Sequence, residues 1–190
     1  MNRTKRSLLQ TFVRSNRGMA VAEFAMLLPV LMTLFYGCIE VTRYILVTQK
    51  AEKLAHTVAN VTAESTTVTT ASLNQLMQAT NDIMSPFDFS GTGKVIISSL
   101  YRPPGSSTVA TVNWQYSGGG SLAATSGFGA VGSAPVLPTN FTFDERENVI
   151  AAEVFYQYSP LISSQFFGTT TIYRRAYYKP RFGLLTTAPS

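Results

Sequence analysis

Cysteine, histidine and tryptophan each occur once in this chain, as Cys38, His56 and Trp114, and no acidic residue precedes Glu23. A single cysteine excludes an intrachain disulfide, so any part of the chain exported to an oxidising compartment must fold on its core alone. The roughly 150 residues after Cys38 are long enough for that. His56 has no second histidine or cysteine with which to complete a metal site, and it reads as a surface or packing residue. Nowhere do a nucleophile, a base and an orienting group suggest themselves as a set. The glycines at 118–120, 127, 129 and 132 lack the Lys-Ser/Thr and the strand-to-helix context of a phosphate loop. Asp144, Glu145 and Glu147 lack the alternating spacing of a calcium loop and read as a charged turn.

What is present is unevenly distributed. The net charge of +5 arises from fifteen basic and ten acidic residues, and Arg3, Lys5, Arg6, Arg14 and Arg17 lie within the first 18 residues. The remainder holds ten of each sign, so the body of the chain is neutral and the basicity belongs to a leader. Phe24 to Ile39 contains no charge, and the 21 residues from Met19 to Ile39 carry the one carboxylate of Glu23. As a helix they span about 31 Å at 1.5 Å per residue, the thickness of a bilayer's hydrocarbon core. Because the flanking positive charge is all N-terminal, the expected topology leaves the N-terminus in the cytoplasm and exports the rest. No small-x-small cleavage site separates Ile39 from Glu40-Val41-Thr42-Arg43, which argues against removal of the run by signal peptidase.

Past the run, Val41, Tyr44, Val47, Ala51, Leu54, Val58 and Val61 recur every three or four residues, and the spacing predicts one helix from roughly Met19 to Thr62. A Ser/Thr linker follows from Ser65 to Thr70. Thr70 or Ser72 then caps a short second helix carrying Leu73, Leu76, Met77, Ile83 and Met84, which Pro86 stops. Strands are expected at 94–101, 109–116, 149–158 and 170–179, the first two joined as a hairpin through Arg102-Pro103-Pro104-Gly105. The glycine-rich stretch 117–139 reads as a long loop, either a binding loop or poorly ordered. Tyr173 to Arg181 mixes aromatic and basic residues; on an exported domain it reads as a solvated strand face, with lipid headgroups or acidic partners as the next choice. The fold class is α+β, a long N-terminal helix packed on a small antiparallel sheet. Its organisation is a leader at 1–18, a transmembrane segment at 19–39, an amphipathic continuation at 40–64, an α+β domain at 65–182 and a tail at 183–190.

The order Arg17-Gly18-Met19-Ala20-Val21-Ala22-Glu23-Phe24, behind an acid-free basic leader and ahead of an uncharged run, resembles the processing motif of class III signal peptides of type IV pilins and pseudopilins. Within that group, Glu23-Phe24-Ala25, Leu28-Pro29 and Gly37-Cys38-Ile39-Glu40 resemble the TadE-like pseudopilins of the tight-adherence (Tad, or Flp) pilus, over residues 15–62. The resemblance implies cleavage between Gly18 and Met19 by a prepilin peptidase, and it makes Glu23 the fifth residue of the mature chain. Gly18, Met19 and Glu23 are then the processing residues, and Glu23, Phe24, Pro29 and Gly37 the positions that serve helix assembly. Phe24 stands where the major pilin of this system has Tyr, and Met19 where better-known pilins have Phe.

The implied function is that of a membrane-anchored accessory subunit in assembly of a Tad-type pilus, with no catalytic residue and no cofactor. Its implied partners are the prepilin peptidase, other Tad pilins and pseudopilins, the pilus assembly platform and the lipid bilayer, but no nucleic acid. It would sit in the inner membrane with its C-terminal domain in the periplasm. A component of a related secretion machine, or an anchored periplasmic enzyme, are the alternatives.

Overall fold

The computed structural model describes residues 16–105, 109–139, 141–161 and 168–190. Helix α1 (Asn16–Ala63) is followed by α2 (Thr70–Gln78), α3 (Thr80–Met84) and four strands: β1 (Gly93–Tyr101), β2 (Thr111–Gly118), β3 (Asn148–Tyr158) and β4 (Thr170–Tyr178). The architecture is α+β, as the residue pattern predicts. The chain divides between Arg43 and Tyr44 into two units.

In the second unit the strands form one antiparallel sheet in the order β2-β1-β3-β4. Alternation along each strand sends Val95, Ile97, Trp114, Ile150, Ala152, Val154, Tyr156, Tyr158 and Ile172 to one face. That face is covered by Val47, Ala51, Leu54, Ala55, Val58, Ala59 and Ala63 of α1 and by Leu73 and Met77 of α2. The stripe predicted from periodicity is right in its middle and wrong at its ends, since Val41, Tyr44 and Val61 are exposed. Alanines take part of their place because a small side chain lets helix and sheet approach closely. Helix α2 begins one residue earlier than the sequence suggests. Thr69 is its cap: the Ser72 N–H donates to Thr69 Oγ1 at 3.2 Å and the Thr69 N–H to Ser72 Oγ at 3.1 Å, so two end donors are satisfied reciprocally.

The opposite face of the sheet is not open to solvent. The glycine-rich stretch after β2 folds over it as an irregular layer, placing Phe128 and Phe143 on Leu100, Val112, Val149 and Ala151, with Leu137, Phe141 and Tyr177 at the margin. Close backbone approach explains part of its glycine content: a Cβ on Gly120 would lie 2.2 Å from the Gly93 carbonyl oxygen. Gly129 needs its hydrogen side chain for another reason, a φ of 102°.

A buried carboxylate fastens this layer. Glu153, in the middle of β3 and without solvent exposure, accepts hydrogen bonds from Ser126 Oγ, from the Gly127 N–H at 2.8 Å and from Tyr173 Oη at 2.6 Å. Burial, then the hydrogen bond to Glu153 and its charge, push the Tyr173 phenol well above its ordinary value, so the tyrosine keeps its proton and remains a donor. The Arg175 guanidinium lies about 6 Å from the ring centres of both Tyr173 and Tyr177.

The end of the chain is fixed as well. Leu185 is buried; its carbonyl accepts from Ser99 Oγ at 2.7 Å and Trp114 Nε1 at 2.9 Å, and its N–H donates to Asn148 Oδ1 at 2.8 Å. The Arg181 N–H donates to the Ala63 carbonyl at 3.0 Å, and the Thr70 N–H to that of Ser190 at 3.0 Å. The charged turn before β3 closes on itself: the Asp144 N–H donates to Glu147 Oε2 at 2.6 Å, while Lys179 Nζ lies 2.7 Å from Glu147 Oε1.

Two outcomes follow from this packing. Phe128→Ala should cost about 3–5 kcal/mol in urea unfolding of the full chain in detergent, and should open residues 119–139 to limited proteolysis; an unchanged cleavage pattern would mean the layer is held without its ring. Burial works to raise the Glu147 pKa, but the Lys179 ammonium and the Asp144 amide outweigh it and hold the carboxylate below its ordinary 4.5. A lowered pKa gives stability that is present above pH 4.5 and lost as pH falls through the folded-state value. Glu147→Gln should therefore unfold more easily than the native chain at pH 7, by up to about 1 kcal/mol, and the gap should close on acidification.

Candidate processing and assembly helix

The residues singled out by the sequence all lie in the first unit, on the N-terminal part of α1. From Gly18 to Cys38 every residue is exposed, and these include Met19, Val21, Phe24, Met26, Leu27, Leu28, Val30, Leu31, Met32, Leu34, Phe35 and Tyr36. A helix that is apolar all round has no face to turn towards water, and this one is long and apolar enough to cross a membrane.

Gly18 is the third residue of α1, so the Gly18–Met19 peptide is helical. A glycine there costs about 1 kcal/mol of helix stability relative to alanine, which leaves the first turn easy to unwind. A Cβ built on Gly18 meets nothing within 4 Å, and the same holds at Gly37. Among the described residues, no side-chain contact demands a glycine at either position.

Glu23 is exposed and is the only charged residue between Gly18 and Cys38. Its neighbours one turn away on the helix surface are Met19, Ala20, Met26 and Leu27, none of which supplies a cation or a hydrogen-bond donor in its side chain. The carboxylate and residue 19 are thus brought one turn apart on one face of α1. Phe24, next in sequence, is exposed beside it, and Pro29 lies five residues further on.

Proline removes the backbone donor that the Ala25 carbonyl would otherwise use. One turn later Thr33 Oγ1 donates to the Pro29 carbonyl at 2.8 Å, and Thr42 Oγ1 donates to that of Cys38 at the same distance. Each hydroxyl is satisfied inside its own helix, so neither exposes an unmet polar group to lipid. Such back-bonding also favours a slight helix bend near the proline. Sequence reading passed over both threonines; a hydroxyl four residues after Pro29 within an apolar run was the available signal.

His56 donates to or accepts from Tyr178 Oη at 3.3 Å and packs edge-on against that ring, as a packing residue does. Among the described residues, no three His, Cys, Asp or Glu side chains come together as a metal ion would require.

Residues 18–60 match the family model described as TadE-like protein. No curated protein and no solved structure matches the chain. The match covers the part of α1 on which Gly18, Met19, Glu23, Phe24, Pro29 and Gly37 lie, and over that segment the chain is similar to TadE-like proteins.

Proposed function

We propose that this chain is a single-pass pseudopilin that a prepilin peptidase matures at Gly18–Met19 and that then acts as an accessory subunit in building a Tad-type pilus. The observation that carries this reading is the isolation of Glu23: one carboxylate, on the otherwise uncharged and exposed stretch Gly18–Cys38 of α1, one turn past residue 19. At the centre of a bilayer an ionised acid costs roughly 2.5–3.5 kcal/mol, and less near an edge. In the intact chain Glu23 is the eighth residue of α1 and no cation stands one turn away on its surface. Cleavage would change both conditions. Met19 would acquire an α-ammonium within reach of the carboxylate, and Glu23 would come close to the positive end of the helix dipole, where acids are favoured by about 0.3–1 kcal/mol.

The same reading accounts for the basic leader, which would hold the scissile bond at the cytoplasmic surface and depart once its work is done. Residues 19–39 remain in the inner membrane, and the sheet domain is exported to the periplasm. The exposed positions at Phe24, Pro29 and Gly37 then meet lipid or the helices of other pilins and pseudopilins on the assembly platform, where a glycine permits close approach of a second helix.

Mass spectrometry of the chain isolated from cells with a prepilin peptidase should show an N-terminus at Met19, and an N-terminus at Met1 when the peptidase is deleted. Retention of Met1 in both strains, or a cut after Ile39, would overturn the proposed maturation. Glu23→Ala should leave membrane insertion unchanged but reduce crosslinking to other pilin-like subunits; equal crosslinking would remove the ammonium–carboxylate pairing from the mechanism.

A further inference from the structure

The outermost strands of the sheet, β2 and β4, end it differently. Part of the β2 edge is taken: the Val112 N–H donates to the Ser133 carbonyl at 3.0 Å, the Gly132 N–H to that of Val112 at 2.7 Å, and Gln115 Nε2 to that of Gly129 at 3.0 Å. The orientation of β3 fixes which groups of β4 face outwards. The Gln157 N–H donates to the Thr92 carbonyl and the Arg102 N–H to that of Glu147, so odd-numbered residues of β3 turn their backbone groups to β1 and even-numbered ones to β4. Tyr156 pairs with Ile172, Val154 with Arg174 and Ala152 with Ala176. Even-numbered residues of β4 therefore complete the ladder, and the N–H and C=O groups of Thr171, Tyr173, Arg175 and Tyr177 point away from the sheet. Among the described residues none of these groups has a backbone partner; the Tyr173 carbonyl alone is met, by Arg174 Nη1 at 2.7 Å.

Charge marks this edge as well. After Glu153 the sequence contains no acidic residue, and its bases there are Arg174, Arg175, Lys179 and Arg181. Lys179 pairs with Glu147 at 2.7 Å and Arg181 with Glu64 at 2.9 Å. Arg174 and Arg175 have no carboxylate within ion-pair distance among the described residues. Being adjacent in a strand, they serve opposite faces: Arg174 shares a face with Ile172 and Ala176, and Arg175 lies beside the rings of Tyr173 and Tyr177. The middle of β4 thus carries an uncompensated positive charge on each face, next to an open row of backbone donors and acceptors.

We propose that β4 receives an extended acidic segment of another polypeptide as an added strand, with two consecutive acidic residues opposite Arg174 and Arg175. Neighbouring residues of a strand laid on this edge point to opposite faces, as those of β4 do, so adjacent carboxylates reach both guanidinium groups. Backbone bonds to residues 171, 173, 175 and 177 supply affinity, and the charges supply selectivity. In the free chain Arg174 occupies the Tyr173 carbonyl; a carboxylate that draws the guanidinium aside leaves that carbonyl to the incoming N–H. The same charges disfavour a second copy of this chain, because antiparallel pairing of two β4 strands centred on the arginines sets like charges opposite each other. Residues before Tyr44 take no part in this contact, so it stands or falls apart from maturation at Gly18–Met19.

Fluorescence anisotropy with the full chain in a non-ionic detergent tests this, using three fluorescein-labelled synthetic peptides. One is Thr-Val-Thr-Glu-Glu-Val-Thr-Val, the second has Lys-Lys in place of Glu-Glu, and the third is the glutamate peptide N-methylated at each central residue, which keeps its charge but removes its backbone donors. The glutamate peptide should bind saturably, and the other two about tenfold more weakly or not at all. Arg174→Gln/Arg175→Gln should bind the glutamate peptide about tenfold more weakly than the native chain does. Equal binding of the N-methylated peptide would overturn strand addition. Equal binding of the lysine peptide, or by the double variant, would overturn the role of the arginines, and no binding by the glutamate peptide would overturn the proposal outright. Both peptide comparisons use the native chain, so they decide the matter even where the double variant fails to fold.

Discussion

The constraint on which the second unit depends is the close seating of α1 on the sheet. Ala51, Ala55, Ala59 and Ala63 recur every four residues, forming a ridge of single methyl groups, and all four are buried. Beside them Val47, Leu54 and Val58 fill the space towards Ile97, Ile150, Ala152 and Val154. The small ridge sets the distance, and the branched residues supply the area. Ala152 and Ala176, paired on β3 and β4, keep the sheet side correspondingly low. Side chains in such a layer interdigitate at the density of an organic crystal, so an added methylene on the ridge would have to displace backbone.

The second covering layer shows how a sheet can be closed without a second helix. Strand β3 is buried on both faces from Asn148 to Val154, a burial usually supplied by helices above and below. Here an irregular segment supplies it. Such a segment has many backbone groups to satisfy and few ladders in which to do so. Glu153 meets one of these needs by taking the Gly127 amide, and its own charge is compensated by the Ser126 and Tyr173 hydroxyls that it gathers. A carboxylate at the centre of a sheet is thus a fastening between layers, which accounts for a charged residue where the strand pattern would call for an apolar one.

Much of this was legible from residues alone because the helices and strands carry strict periods. The four strands lie within three residues of their expected ends, and the β1–β2 hairpin followed from its proline-glycine turn. On α1 the pattern Gly18-x4-Glu23 and the uncharged run identified the segment that the TadE-like family model covers. The covering layer was not legible: Phe128, Leu137, Phe141 and Phe143 follow no period, and glycine-rich sequence looks the same whether it is packed or free. Burial of both faces of β3 was written in the run Val149-Ile150-Ala151-Ala152, which does not alternate, yet nothing local said what lay above it. Leu185 was equally silent, since a lone leucine in a polar ending shows nothing of the Ser99, Trp114 and Asn148 groups that receive it.

That C-terminal attachment has a consequence for the order of events during synthesis. Leu185 closes on Ser99 across 86 residues, and Arg181 lies 118 positions from the Ala63 carbonyl that it meets. The apolar ridge of α1 is made first, while β3 and β4, which form the half of its platform nearest the chain's end, are made last. Until nearly the whole polypeptide is available that half of the ridge's cover is missing, and contacts over such separations form slowly. A nascent chain of this kind needs its greasy helix sheltered from neighbours for most of its production time, a demand that falls on whatever machinery escorts it.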